Sequence, residues 1–227
     1  MPRLPRVDVS NQCYHVLNRA NARLPIYFEE ADYILFENIL IEAADKFKMR
    51  VLNYCLMPNH FHLVLHPRQD GDLARFMQWL TLTHTQRWHA KNQTTGTGHI
   101  YQGRYKSFLI QNNNHLLAVI RYVERNPLRA KLVTKAENWR FNSLWIRLHG
   151  RPEQKKFLSP WPIPEPSDYL DFVNTPLDSD IEETIRQSIT RDRPLGNPGW
   201  TDEMIEKYKL EKTTRPRGRP KKKWQKV

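Results

Sequence analysis

At 227 residues, with 39% hydrophobic and 11% aromatic content, the chain has material for one globular domain plus extensions, and its core needs neither disulfides nor a structural metal. Its two cysteines, Cys13 and Cys55, exclude a disulfide framework; no apolar run approaches the ~20 residues of a membrane span; and the first residues lack the apolar stretch of a secretion signal. A soluble protein of a reducing cytoplasm is expected. The formal charge of +12 is unevenly spread: residues 1–156 carry +11, 157–185 carry −7, 186–211 balance, and 212–227 carry +8. A basic body and a basic tail joined by an acidic stretch suit a polyanionic partner met by two surfaces.

In chain order, Cys13–Arg19 reads as a strand, and 31–48 as a helix from the spacing of Ile34, Leu35, Ile39, Leu40, Ala43 and Phe47. Two strands follow, Arg50–Met57 and His60–His66, separated only by the turn-forming pair Pro58 and Asn59, which predicts a hairpin. A helix over 73–91, a strand over 101–110 and a helix over 114–126 stopped by Pro127 complete the body. The order β-α-β-β-α-β predicts an α+β, ferredoxin-like antiparallel sheet with two helices on one face, to which the last helix is an addition. Composition then divides the chain into a domain over 1–150, a proline-rich and acidic extension over 151–211 with short helices near 178–190 and from Thr201, and an unstructured basic tail over 212–227.

Residues two apart on a strand share a face, so His60 and His62 project together, close enough to share one metal ion. Alone, this spacing is weak and more often marks a half-exposed strand with two incidental histidines. The zinc hydrolases that also begin with H-x-H do not fit, because Leu63, Val64 and Leu65 follow where one class continues with further ligands, and the chain is short for the barrel of the other. Tyr122 and Asn126, four apart, share a helix face beside the stripe of Leu116, Val119, Ile120 and Val123, so one helix offers a hydroxyl and a carboxamide to a single site. The plainer reading of Asn126 is a helix cap before Pro127.

The runs YHVLNRAN from Tyr14, MPNHFHLVL from Met57, YQGRYKS from Tyr101 and YVERNPLRAKLV from Tyr122, in this order, resemble the REP-associated tyrosine transposases, over roughly residues 14–150. That resemblance implies a metal-dependent, single-strand DNA endonuclease and strand transferase acting on palindromic hairpin DNA. It makes His60, His62 and Asn126 the ligands of Mg²⁺ or Mn²⁺ and Tyr122 the nucleophile of a 5′-phosphotyrosine intermediate. It also implies a bacterial, nucleoid-associated protein that acts as a monomer, with a dimer as the variant arrangement. Lys131 departs from the pattern, since many members carry glycine there. A catalytically silent DNA-binding protein of the same fold is the alternative, and a small-molecule metallophosphoesterase a further one.

The surfaces expected to hold DNA are the strand residues Arg104, Tyr105 and Lys106, the cations Arg121, Arg125, Arg129 and Lys131 around the added helix, and the tail. In the tail, Arg215, Arg217 and Arg219 alternate with Pro216, Gly218 and Pro220 ahead of Lys221, which resembles an AT-hook, an extended core that lies in a narrow minor groove.

Overall fold

A computed structural model of the chain describes residues 6–215. Strands β1 (Cys13–Arg19), β2 (Arg50–Met57), β3 (His60–His66) and β4 (Lys106–Ile110) form one sheet in the order β2-β3-β1-β4 with every pairing antiparallel, as the ferredoxin-like reading requires. Helices α1 (Glu30–Lys46) and α2 (Asp72–Asn92) cover one face. Their apolar stripes, Phe36, Ile39, Leu40 and Ala43 from α1 and Leu73, Phe76, Met77 and Leu80 from α2, meet Tyr14, Val16, Leu56, Phe61, Leu63 and Leu65 of the sheet in a first core.

The opposite face is covered by α3 (Asn114–Glu124), whose Leu116, Val119, Ile120 and Val123 pack with Leu52, Cys55, Met57, Val64, Phe108 and Ile110 in a second core. Strand alternation delivers β3 to both cores at once: Phe61, Leu63 and Leu65 face the helical layer, while Val64, and with it His60 and His62, faces α3. In β2 the register shifts between Val51 and Asn53. This bulge leaves Leu52 and Asn53 on the same side, so that Val51 stays in the first core while Asn53 reaches Glu124 of α3.

Two boundaries differ from the sequence reading. β4 begins at Lys106 rather than 101: Gly103 has φ +146°, so Tyr101 makes only an isolated bridge to Ala20 before the chain turns. Nor does Pro127 end the helical path. After Arg125, whose backbone stays in the helical region, a further turn follows, α4 (Asn126–Arg129). The Asn126 side-chain Nδ2 donates to the carbonyls of Tyr122 (3.0 Å) and Val123 (3.2 Å), supplying a donor where the proline nitrogen has none. The turn ends at Lys131 in the left-handed region, φ +58°.

Beyond α4 lies α5 (Ser143–His149), a helix not read from the sequence. The extension holds short α6 (Pro152–Lys156) and α7 (Tyr169–Asn174), then α8 (Ser179–Arg191), where the sequence signals a helix, and α9 (Pro198–Lys207), which starts three residues before the expected Thr201. It packs on the body: Tyr169, Val173, Ile185 and Leu195 join the second core, Met204 joins the first, and Leu195 bridges β4 at Ile110. Among the described residues, no helix is long and apolar enough to cross a membrane.

Candidate active site

A pocket of about 190 Å³ opens where β1, β3 and the α3–α4 junction meet, lined among others by Arg19, His60, His62, Tyr122, Asn126 and Arg129, with Ile189 of α8 at its rim. The structure therefore brings together all four residues that the sequence singled out for chemistry. The His60 and His62 rings lie 5.0 Å apart, centre to centre, and the Tyr122 ring stands edge-on to His62 at 6.1 Å. Tyr122 is placed by α3, whose neighbouring residues are sunk in the second core, so its hydroxyl is presented from a fixed helix rather than a loop.

Both histidines are oriented from behind. His60 Nδ1 lies 2.7 Å from Asn59 Oδ1, and Asn59 Nδ2 donates to the Arg23 carbonyl at 2.8 Å, which fixes the amide orientation; His60 Nδ1 therefore carries the proton. His62 Nδ1 lies 2.8 Å from Nε2 of His15, a β1 residue to which the sequence assigned no part. His15 sits on the same face because it is two residues from Leu17, the Cα partner of His62. Nothing in the sequence states this strand pairing, so the contact was not legible there. Burial, aided by neighbouring Arg19 and Arg129, pushes His60 down to about 3, and burial next to the other two rings holds His62 well below the usual histidine range. His15 is pushed down to about 3 by burial and by His60.

His60, with its proton on Nδ1, offers Nε2 to a divalent ion, and His62 does the same in the tautomer that donates from Nδ1 to His15. Asn126 Oδ1 accepts from Arg129 Nη2 at 2.6 Å and retains a second lone pair for a cation. Among the described residues, no group of three His, Cys, Asp or Glu side chains is placed to hold a metal ion. Two imidazoles and an amide oxygen are donors of a kind that a divalent ion accepts.

Arg129 lies over the Tyr122 ring, 4.6 Å from its centre, and pairs with Glu182 of α8 at 2.9 Å. Behind α3 the buried carboxyl of Glu124 receives Asn53 Nδ2 (2.6 Å), the Ser143 hydroxyl (3.2 Å) and the Tyr169 hydroxyl, a network joining β2, α5 and α7 to the helix that carries Tyr122. Burial lifts this carboxyl to about 7.

The cations expected to meet DNA fall into two groups. Arg121 donates to the carbonyls of Thr175 and Pro176 (2.7 and 3.1 Å), Arg125 to that of Val173 (2.6 Å), and Lys106 to those of Ile189 and Thr190 (3.1 and 3.2 Å). In this structure these three tie the extension to the body. Arg104 and Tyr105, together with Lys106, line a separate groove of about 520 Å³, with Arg6, Arg191 and Lys212 on its walls. Lys131 is exposed, and Arg215 accepts at its carbonyl from Arg191; Arg217, Arg219 and Lys221 lie outside the described residues.

Among solved structures the chain is similar to a REP-associated tyrosine transposase bound to a REP hairpin, at 15% identity and a TM-score of 0.55, covering 79% of this chain and 100% of that one. At that identity the likeness concerns the fold. A candidate transposase from Deinococcus radiodurans R1 is also found, at 19% identity and a TM-score of 0.40, with coverage of 55% and 97%. No curated protein matches the sequence. The family described as "Transposase IS200 like" matches residues 8–126, from the approach to β1 through the histidine hairpin to Tyr122 and Asn126, and the chain belongs to that family.

Proposed function

We propose that the chain is a metal-dependent endonuclease and strand transferase for single-stranded DNA, with Tyr122 as nucleophile. The observation that carries this reading is the placement of Tyr122 across one small pocket from His60 and His62, within a single chain. A divalent ion held by His60, His62 and Asn126 would supply charge neutralisation at the phosphate. The protein's own groups do the rest. Helix α3 presents the Tyr122 hydroxyl to the phosphate; as its oxygen bonds to phosphorus its proton passes to water, the bond from phosphorus to the 3′-oxygen breaks, and that oxygen takes a proton from water. The product is a 5′-phosphotyrosine that conserves the bond, so the 3′-hydroxyl of another strand can reverse the step and reseal DNA.

A palindromic hairpin is the proposed substrate, which agrees with the hairpin carried by the similar solved structure. The groove along Arg104 and Tyr105 supplies a cation and an aromatic ring for a flanking single strand, and the basic tail a second DNA contact. Residues 1–150 would carry the chemistry, 151–211 brace α3, and 212–227 add affinity. Because the pocket is complete in one chain, a monomer suffices. We place such a protein in the bacterial cytoplasm, on the nucleoid.

The test is covalent trapping. Wild type incubated with Mn²⁺ and labelled single-stranded hairpins should give a labelled protein band on a denaturing gel, and Tyr122→Phe should give none. Tight hairpin binding without any adduct would favour the catalytically silent DNA-binding protein instead.

A further inference from the structure

Four arginines of the described chain surround the end of α3, and three are held by the protein through their terminal guanidinium nitrogens. Arg121 and Arg125 bond carbonyls of the extension, and Arg129 is shared between Glu182 and Asn126. The fourth is Arg19, the last residue of β1 and the Cα partner of His60. Alternation along β1 puts it on the same face as His15 and Leu17, and its side chain lines the pocket of His60, His62 and Tyr122. It has no carboxylate partner among the described residues, and its Nε is buried without a hydrogen-bond acceptor.

We propose that Arg19 is a catalytic residue that receives the scissile phosphate, its guanidinium donating to a non-bridging oxygen next to the His60 and His62 pair. This rests on the reading of the pocket as the cleavage site. The chemistry favours arginine for the task. While the Tyr122 oxygen bonds to phosphorus and the bond to the 3′-oxygen breaks, negative charge accumulates on the non-bridging oxygens. A planar fork of N–H groups meets two acceptors at once and keeps its charge at any working pH. Arg129 is less suited, since Glu182 already offsets its charge.

The experiment compares full-length wild type with Arg19→Ala and Arg19→Lys on a hairpin with an ordinary phosphodiester and on one with a neutral methylphosphonate at the scissile position. On the phosphodiester, Arg19→Ala should form adduct about 100- to 1000-fold more slowly, with hairpin affinity and Mn²⁺ affinity essentially retained. Arg19→Lys should recover part of the rate. On the methylphosphonate, where no charge awaits neutralisation, the deficit of Arg19→Ala should largely vanish. Arg19→Met, which keeps the stem volume, replaces the alanine variant if that one does not fold. A phosphodiester rate equal to wild type, or a loss fully accounted for by weaker hairpin binding, overturns the proposal. Absence of adduct in wild type itself would instead strike at the reading of the whole pocket.

Discussion

On one face of the sheet Tyr14, Val16, Leu56, Phe61, Leu63 and Leu65 meet the apolar stripes of α1 and α2; on the other, His15, Asn53, His60 and His62 are interleaved with Leu52, Cys55, Met57 and Val64 beneath α3. The same strands build both. In β3, Phe61 and Leu63 are fully buried in the first core, and that anchoring fixes the backbone from which His60 and His62 project the other way. The helical face holds the larger of the two cores and sets positions. The α3 face gives up some hydrophobic stabilisation to hold polar groups, and it compensates in part by pairing His62 with His15 and Glu124 with Asn53, Ser143 and Tyr169. Removing a polar partner on the α3 face should therefore change chemistry more than stability, whereas a polar group on the helical face should matter only for stability.

The largest expected effect that sharpens this contrast is at His15. Replacing it by leucine leaves His62 Nδ1 without its partner and frees the ring to rotate, while the added apolar group suits its surroundings beside Phe108. Mn²⁺ affinity, measured by calorimetry on the DNA-free protein, should fall roughly 10- to 100-fold, and the urea midpoint should move little. His15→Gln, whose side-chain oxygen lies near the position of Nε2, should restore most of the affinity. Equal affinity in all three proteins would show that the His15 contact is only packing.

Much of this architecture was legible beforehand, and the reason is periodicity. Alternation gave the strands and put His60 and His62 on one face, and helical spacing put Tyr122 with Asn126. What pairing and packing decide was hidden. The His15 contact depends on the β1–β3 register, the Leu52 bulge on where Asn53 has to reach, and α5 is a seven-residue helix with too few turns to show a period. Lys106, Arg121 and Arg125 read as free cations because a sequence shows their charge but not the carbonyls of α7 and α8 that sit on them.

A second, smaller effect lies on the helical face. His84 of α2 is buried among Tyr27, Phe36 and Tyr101, with Nδ1 2.7 Å from the Tyr101 hydroxyl and Nε2 without a partner among the described residues. Burial pushes it down to about 3. Its folded pKa is thus depressed below the unfolded value: above about 6.5 both states are neutral, and as pH falls the unfolded chain takes up a proton that the folded one refuses. Stability should drop by about 1.4 kcal/mol per pH unit below 6.5 from this group alone. His84→Gln removes that dependence, so its stability deficit relative to wild type, read from urea titrations at pH 7.5, 6 and 5, should narrow steadily with acid. A constant deficit would mean that His84 stays neutral in both states or charged in both. Adduct formation at pH 7.5 should be unaffected, because the residue touches neither α3 nor the pocket.

The smallest effect separates backbone from side chain at Lys131. Its φ of +58° puts an L-residue where a Cβ is strained by about 1–2 kcal/mol, which explains why glycine suits this position. The conformation is enforced from both sides: Lys131 N donates to Leu128 O at 3.0 Å and Leu132 N to Pro127 O at 2.9 Å, closing the end of the turn that carries Arg129. Lys131→Gly relieves the strain but gives the unfolded chain more freedom, so a net gain of about 0.5–1 kcal/mol is expected in urea melts. The exposed ammonium is lost at the same time. If it meets a phosphate, the dependence of hairpin affinity on log salt should flatten by about one unit; if it does not, affinity should be unchanged while stability still rises. Lys131 would then be a strained residue retained for its charge in the first case, and a tolerated one in the second.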